Sequence, residues 1–396
     1  MNIVQSRLRM IDYFERKRVF PALYFLFVLL FFISPNLHWY FNVFYVIMPL
    51  YLISLGRLKL KAFIHSKIWL MALILLFYML LTVLWQINPG DDGLMYYLRK
   101  AIYLFVFLSL TMELTAGYPR FMERLFMLFC WIGALTAVIS LFLFYSRAPF
   151  PSARLEYLAD QFRNPILGAI IYGMTLLVIY FHILKKTPKK SHRWLYVIFM
   201  VIISGSILLT QSRGPTAILL GAFITGGLLT RDKKLLITLA CIIVIIGAAL
   251  IFNVRQVEKA ITDRGISYRI ELLEKTLSMI RGHVLFGKGI TTEQDIVSDD
   301  GLHLHHPHNV YLATVLYGGL VGLSLLLIML AAAFRESLNY FFLTRDITLF
   351  VLILFGSCTI ITSQDKIITH PHPLWFSFWL PLGLTAGVSL KARKKI

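Results

Sequence analysis

The chain has 396 residues, 58% hydrophobic and 15% charged, with a formal net charge of +19. Soluble domains average about 45–50% apolar and about 25% charged residues, so this balance excludes a water-soluble globular fold. Repeated apolar runs of the roughly 20 residues that a membrane-crossing helix needs predict an all-α polytopic membrane protein, one integral membrane domain over 1–396.

The N-terminal stretch MNIVQSRLRMIDYFERKRVF is too charged for a short signal peptide and runs directly into a first span. Twelve spans are expected in all, at about 20–34, 40–56, 68–87, 97–116, 122–145, 165–184, 194–210, 215–230, 235–252, 309–334, 346–363 and 373–390. With both termini cytoplasmic, 25 of the 39 Lys and Arg residues fall on the inner side, in segments such as RLKLK, KKTPKKSHR, RDKK and KARKK. That asymmetry is the positive-inside pattern, so the basic surplus reports topology and not a nucleic-acid partner. Cys130, Cys241 and Cys358 all lie in apolar runs, which predicts neither a disulfide framework nor a zinc site.

Most connections are short, and two outer segments stand apart. SRAPFPSARLEYLADQFRNP (146–165) is polar and contains proline. The segment 253–308 is too long for a turn and is expected to form a structured loop between spans nine and ten. Within it, Ile270, Leu273, Leu277 and Ile280 recur at helical spacing and predict an amphipathic helix starting near Ser267. A glycine-punctuated turn, GHVLFGKGI, follows, and EQDIVSDDG then reads as a solvated loop.

Three constellations in this outer region carry chemistry. In TQSRGP (210–215), Pro215 suits the first turn of a span, and Gly214 is expected to allow the tight reversal before it. A helix N-terminus beside Arg213 suits an anion, phosphate above all; an arginine snorkelling to headgroups is the plainer alternative. In ISYRIELLEKTL, Arg269 falls in the first turn of the amphipathic helix, where a cation opposes the dipole by about 0.3–1 kcal/mol. An anionic ligand would explain it, as would pairing with Glu271, Glu274 or lipid phosphate. In HLHHPHNVYL (303–312), four histidines precede an apolar run. A metal site is one reading, although Pro307 restricts the backbone and the spacing matches no standard zinc pattern. The other singles out His308, next to the expected N-cap Asn309. The positive end of that helix disfavours imidazolium and leaves the ring able to accept a proton.

Taken together, QSRGP (211–215), YRIELLEKTLSMIRGHVLFGKGI (268–290) and HPHNVYLATVLYGGLVGL (306–323) resemble the O-antigen ligase and polymerase superfamily. Where the family carries a proline before the G-x-G turn, this chain has Val284–Leu285. The resemblance implies a type C-like membrane glycosyltransferase that needs no cofactor or metal. Its donor would be a glycan on undecaprenyl diphosphate at the periplasmic face of a bacterial inner membrane. For a ligase, the acceptor is a sugar hydroxyl of lipid A–core; an O-antigen polymerase would use another lipid-linked glycan. A flippase of lipid-linked glycans is the rival from another class, disfavoured by span middles almost free of charge.

The family's roles carry over onto His308 as catalytic base and onto Arg213 and Arg269 as diphosphate contacts. Gln211 assists Arg213, Arg99 in YYLRK is a further donor contact, and Asp365 in SQDKIITHPH orients an imidazole or holds the acceptor. Arg264, a rival to Arg269, and His306 complete the candidates. His303, His305 and His306 are otherwise expected only to shape the loop.

Overall fold

The computed structural model describes residues 19–55, 57–87, 90, 92–187, 190–241, 266–292, 296–297, 303–304, 307–362 and 366–393. The helices in order are α1 (Val19–Ile33), α2 (Leu37–Ser54), α3 (Arg57–Ile64) and α4 (Lys67–Leu81), the last extended by a 3-10 turn, Thr82–Trp85. Next come α5 (Leu94–Gly117), α6 (Phe121–Tyr145), and α7 (Pro165–Val178), which continues as a π turn over Ile179–Leu184. They are followed by α8 (Lys190–Leu209), α9 (Arg213–Thr230), helical residues 233–241 and α10 (Ile266–Ile280). The chain closes with α11 (Val310–Thr344), α12 (Thr348–Thr359), a π turn at Trp375–Trp379 and α13 (Leu380–Arg393).

Among the described residues the protein is all-helical but for one two-residue ladder, in which Ile296 pairs with Leu304 and Val297 with His303. Ile296 is buried, so the acidic stretch around it is not wholly a solvated loop. Seven described helices are long and apolar enough to cross a membrane: Leu37–Ser54, Lys67–Trp85, Leu94–Gly117, Phe121–Tyr145, Pro165–Leu184, His192–Leu209 and Val310–Thr344. Val19–Ile33 and Thr348–Thr359 are apolar but shorter. The ninth expected span continues past residue 241, outside the described residues.

α7 lies deepest among the seven, with 83% of its apolar window buried. Around it the core is aromatic. Phe376 stacks on Phe31 at 3.9 Å and on Phe27 at 5.6 Å, and Tyr157 lies parallel to Tyr172 at 4.0 Å. Small residues bring α13 against α5: a Cβ on Gly383 would meet Thr111 at 2.9 Å, and one on Gly387 would meet Thr115 at 2.4 Å. In lipid, such close backbone approach replaces the hydrophobic drive that water supplies elsewhere.

The tenth expected span departs most from the sequence reading. α11 has 35 residues, or about 52 Å at roughly 1.5 Å per residue, against a hydrocarbon core of about 30 Å. It is interrupted at Gly319, whose φ of 66° and ψ of −168° are non-helical. The glycine turn fills the gap. Lys288 and Gly289 donate their N–H groups to the carbonyls of Leu316 and Tyr317 (2.8 and 3.0 Å), and Leu320 and Val321 donate to Val284 and Leu285 (2.8 and 3.2 Å). Four backbone bonds thus cross the break, and Val284–Leu285 supplies two of its acceptors in place of a proline. Beyond it, residues 320–344 span roughly 37 Å, enough for the core. Val310–Gly318 is a separate half-helix before the break.

At the far end of the bundle, sequence reading gave no warning of a buried ionic cluster. Asp346 follows α11; its Oδ2 accepts from His182 Nδ1 and from Lys186 Nζ, both at 2.9 Å, and its Oδ1 accepts from the Thr348 N–H at 3.0 Å. Burial pushes the carboxyl upward, but the hydrogen bond and charge of His182, and then of Lys186, outweigh it and hold it well below the usual range. The stabilisation is therefore present above about pH 4 and fades as pH falls toward the lowered value. Asp346→Asn is expected to lower stability by about 3 kcal/mol, because it removes the acid from the buried His182 and weakens its pairing with the more exposed Lys186. Thermal unfolding at neutral pH, followed by size exclusion, measures this.

Candidate functional site

At the opposite end, the S-R-G hairpin and the entry to α11 meet the end of α12. Residue 213 is itself the first residue of α9, and Pro215 is the third. Ser212, the N-cap, makes no side-chain capping bond, so the first-turn amides keep the anion-facing character of an open helix start. The reversal is not made by Gly214. Gln211 takes the left-handed conformation, with φ of 52°, while its side-chain amide donates to the Ser152 carbonyl at 3.1 Å. Arg154 donates to the Thr210 carbonyl at 3.1 Å, and Leu155 pairs with Leu209 at 2.9 Å. The 146–165 segment is thus a brace for the hairpin. Arg213 is exposed, and a Cβ on neighbouring Gly214 would lie 3.7 Å from Thr362, just past α12.

The helix entry forms as the capping chemistry demands. The Asn309 side chain accepts from the N–H groups of Tyr311 and Leu312 at 3.0 and 3.1 Å. His308 precedes it in the left-handed region, with φ of 49°, and is exposed. Val310 donates its N–H to the Ile360 carbonyl at 3.0 Å, and the Tyr311 hydroxyl donates to the Ser357 carbonyl at 2.9 Å. The end of α12 therefore holds the His308 turn by two hydrogen bonds, and the Arg213 hairpin lies beside the residues that follow it.

The loop after α12 closes this end through a residue that sequence reading passed over. Lys366 Nζ donates to the Tyr97 hydroxyl and, at 3.3 Å, to the Ile290 carbonyl. It also lies 4.9 Å from the Tyr97 ring centre and 4.6 Å from that of Tyr317, within cation–π range. One ammonium thus joins α5, α11 and the glycine turn beside the loop of Asp365. Arg99 is exposed two residues beyond Tyr97, and Lys100 stacks over Tyr96 at 3.6 Å. The only sequence signal for Lys366 was its place in the SQDKIITHPH stretch.

Further along that loop, His372 Nδ1 accepts the Leu374 N–H at 3.3 Å, which requires an unprotonated nitrogen. Burial, then the charges of His370 and Lys100, push the ring from 6.5 down to about 3. The unfolded chain binds the proton first, so stability should rise with pH between about 3 and about 6.5, with no contribution from His372 above. His372→Gln is expected to flatten this limb in melting temperatures taken across that range.

Gln211, Arg213 and His308 are thus gathered at one end of α12, with Arg99 at the start of α5 on the same end of the bundle. Arg269 is the fourth residue of α10. The protein-facing side of that helix differs from the expected stripe: Leu272, Thr276 and Ile280 are buried, while Leu273 and Leu277 are exposed. His303 lies in the short ladder. Arg264, His305, His306 and Asp365 lie outside the described residues.

Apolar helices packed in this way define a multi-pass membrane protein. Residues 198–327 match a family model described as O-antigen ligase. The chain is also 26% identical over 359 residues to an O-antigen ligase of Pseudomonas aeruginosa, covering 89% of this chain and 86% of that protein. Both matches support the O-antigen ligase superfamily, with its link to lipopolysaccharide synthesis. The family match contains both the S-R-G hairpin and the His308 turn.

Proposed function

We propose that the protein is an O-antigen ligase of the bacterial inner membrane, moving a glycan from undecaprenyl diphosphate to a sugar hydroxyl of lipid A–core. The observation that carries this is the convergence of the Arg213 hairpin and the Asn309-capped His308 turn on the end of α12. One supplies guanidinium and open amides for a diphosphate, and the other an exposed imidazole for a hydroxyl. The active end faces the periplasm, with both termini cytoplasmic and the glycine turn beside it.

In the reaction, His308 accepts the proton of the acceptor hydroxyl as its oxygen attacks the anomeric carbon. The bond from that carbon to the diphosphate oxygen breaks, and undecaprenyl diphosphate leaves with the charge. Arg213 and Arg269, aided by Gln211 and Arg99, neutralise that charge in the role a divalent metal plays elsewhere. One displacement inverts the anomeric centre. Asp365 orients the imidazole or the acceptor.

The test is transfer by purified protein in EDTA, from undecaprenyl-diphosphate glycan to lipid A–core, with products resolved by gel. Glycan on lipid A–core supports the ligase. A lengthened donor glycan instead identifies a polymerase, and loss of activity in EDTA returns the histidine cluster to a metal role.

A further inference from the structure

At the end of the bundle opposite the candidate site, a cleft of about 510 Å³ opens between three elements. The π turn after α7 and the residue that follows it supply Tyr180 and Lys185, the first turns of α8 supply Arg193, Trp194 and Val197, and the turn after α9 supplies Asp232. Arg193 stands about 24 Å along α8 from the hairpin end at Leu209. The cleft therefore lies toward the far edge of a hydrocarbon core of about 30 Å.

Its one acid is committed to the protein. Asp232 Oδ2 accepts from the Tyr180 hydroxyl at 2.8 Å and lies 3.5 Å from Lys185 Nζ, while Oδ1 accepts the Leu235 N–H at 3.2 Å. The carboxylate thus pins the lysine to the cleft wall. Arg193 Nε donates to the Thr187 carbonyl at 2.7 Å, and its terminal nitrogens have no polar partner among the described residues. A guanidinium held by one N–H keeps four others for an oxygen anion, and the start of α8 adds its dipole. In the sequence, eight Lys and Arg residues in 185–193 and 231–234 stand against Asp232 alone. Beyond the cations the surface turns apolar. Trp194, Ile198, Val201 and Leu208 are exposed at helical spacing along one face of α8, and nothing lies within 4 Å of a Cβ on Gly205 between the last two. A tryptophan below basic residues marks the headgroup level of a bilayer.

We infer that this cleft binds an anionic phospholipid of the leaflet away from the candidate site. Arg193 and Lys185 hold its phosphodiester, and an acyl chain lies along the exposed face of α8. In the orientation proposed above, that is the cytoplasmic leaflet. The inference needs only the membrane-spanning character of the chain and stands apart from the transfer chemistry. A zwitterionic lipid would bring an ammonium or choline into the same positive mouth, so a lipid of net negative charge fits it better. A free phosphate shares the oxygen chemistry but has no use for the apolar face.

The test reads lipid at Trp194 itself. Full-length protein is placed in phosphatidylcholine vesicles in which a minor fraction is phosphatidylglycerol brominated near the headgroup end of its chains. Brominated phosphatidylcholine takes its place in the comparison. Bromine quenches a neighbouring indole, and subtraction of the Trp194→Phe signal isolates the cleft. Wild type should favour phosphatidylglycerol over phosphatidylcholine by about fivefold or more, the value of one basic side chain at a membrane surface. Arg193→Gln should bring that ratio close to one, and Lys185→Gln serves in its place if Arg193→Gln fails to fold. Lys234→Gln, a basic residue of the same end outside the cleft, should keep the wild-type ratio.

A ratio near one in wild type, or an unchanged ratio in a folded Arg193→Gln or Lys185→Gln variant, overturns the site. An equal loss in Lys234→Gln overturns it too, since the preference then reports surface charge alone. Inorganic phosphate on both faces of the membrane should leave the wild-type ratio intact. Loss of the preference in phosphate identifies a free-anion site and overturns the lipid assignment.

Discussion

His308→Ala is expected to reduce glycan transfer by about 10²–10⁴-fold, the contribution typical of a positioned general base. The loss should fall on kcat, with donor binding and thermal stability close to wild type, because His308 is exposed and the helix behind it is capped by Asn309. Its left-handed backbone is a conformation that histidine and asparagine tolerate better than most residues. His308→Asn therefore separates chemistry from backbone strain and should be as inactive as alanine. The His303, His305 and His306 triple alanine variant is expected to remain active. Transfer at wild-type rate by His308→Ala would remove the base from the proposed mechanism.

Gly319→Ala is expected to cost about 3 kcal/mol or more, the largest single-methyl effect argued for this fold. Its φ and ψ of 66° and −168° lie in a region essentially restricted to glycine. A Cβ there would stand 2.1 Å from the Leu285 carbonyl oxygen and 2.5 Å from the Phe286 nitrogen. The first is an acceptor in the bridge across α11 and the second belongs to the same backbone segment, so relief must open that bridge and strand some of its hydrogen-bonding groups. Gly287→Ala shares the mechanism, its Cβ meeting the Tyr317 carbonyl carbon at 2.4 Å. Gly221→Ala is the control: nothing lies within 4 Å of it, and alanine in a helix interior gains up to about 1 kcal/mol. Survival of the folded peak on size exclusion after graded heating ranks the three. Equal survival of Gly319→Ala and wild type would remove the break from the account of stability.

Parts of the site were legible in the sequence because their chemistry is local. Asn309 announces a helix start, since its carboxamide reaches amides two and three residues on, and α10 begins within a residue of its expected start. The reversal before α9 was misread. Glycine is the usual left-handed residue, but here Gln211 takes that conformation while its side chain binds Ser152, nearly sixty residues away. Lys366 was hidden for the same reason: its two tyrosines come from separate helices, and only the fold brings them to one ammonium. The helix break was the least legible of all. YGGLVGLS reads as an unbroken apolar span, and the residues that interrupt it lie some thirty positions earlier. The outward face of α10 escaped periodicity because Leu273 and Leu277 follow the helical repeat as faithfully as the residues that pack inside.

The break in α11 also bears on how the chain is made. A helix opened midway and left unbridged would present bare amides and carbonyls to hydrocarbon, at several kcal/mol for each unsatisfied group. The segment that meets this need, residues 284–289, leaves the ribosome before 316–321 do, so the patch precedes the gap it closes. Insertion into the membrane can then proceed without a stage in which the open helix waits for its partner. A circular permutant that synthesised α11 first would lose that order, and should accumulate an insertion intermediate sensitive to protease.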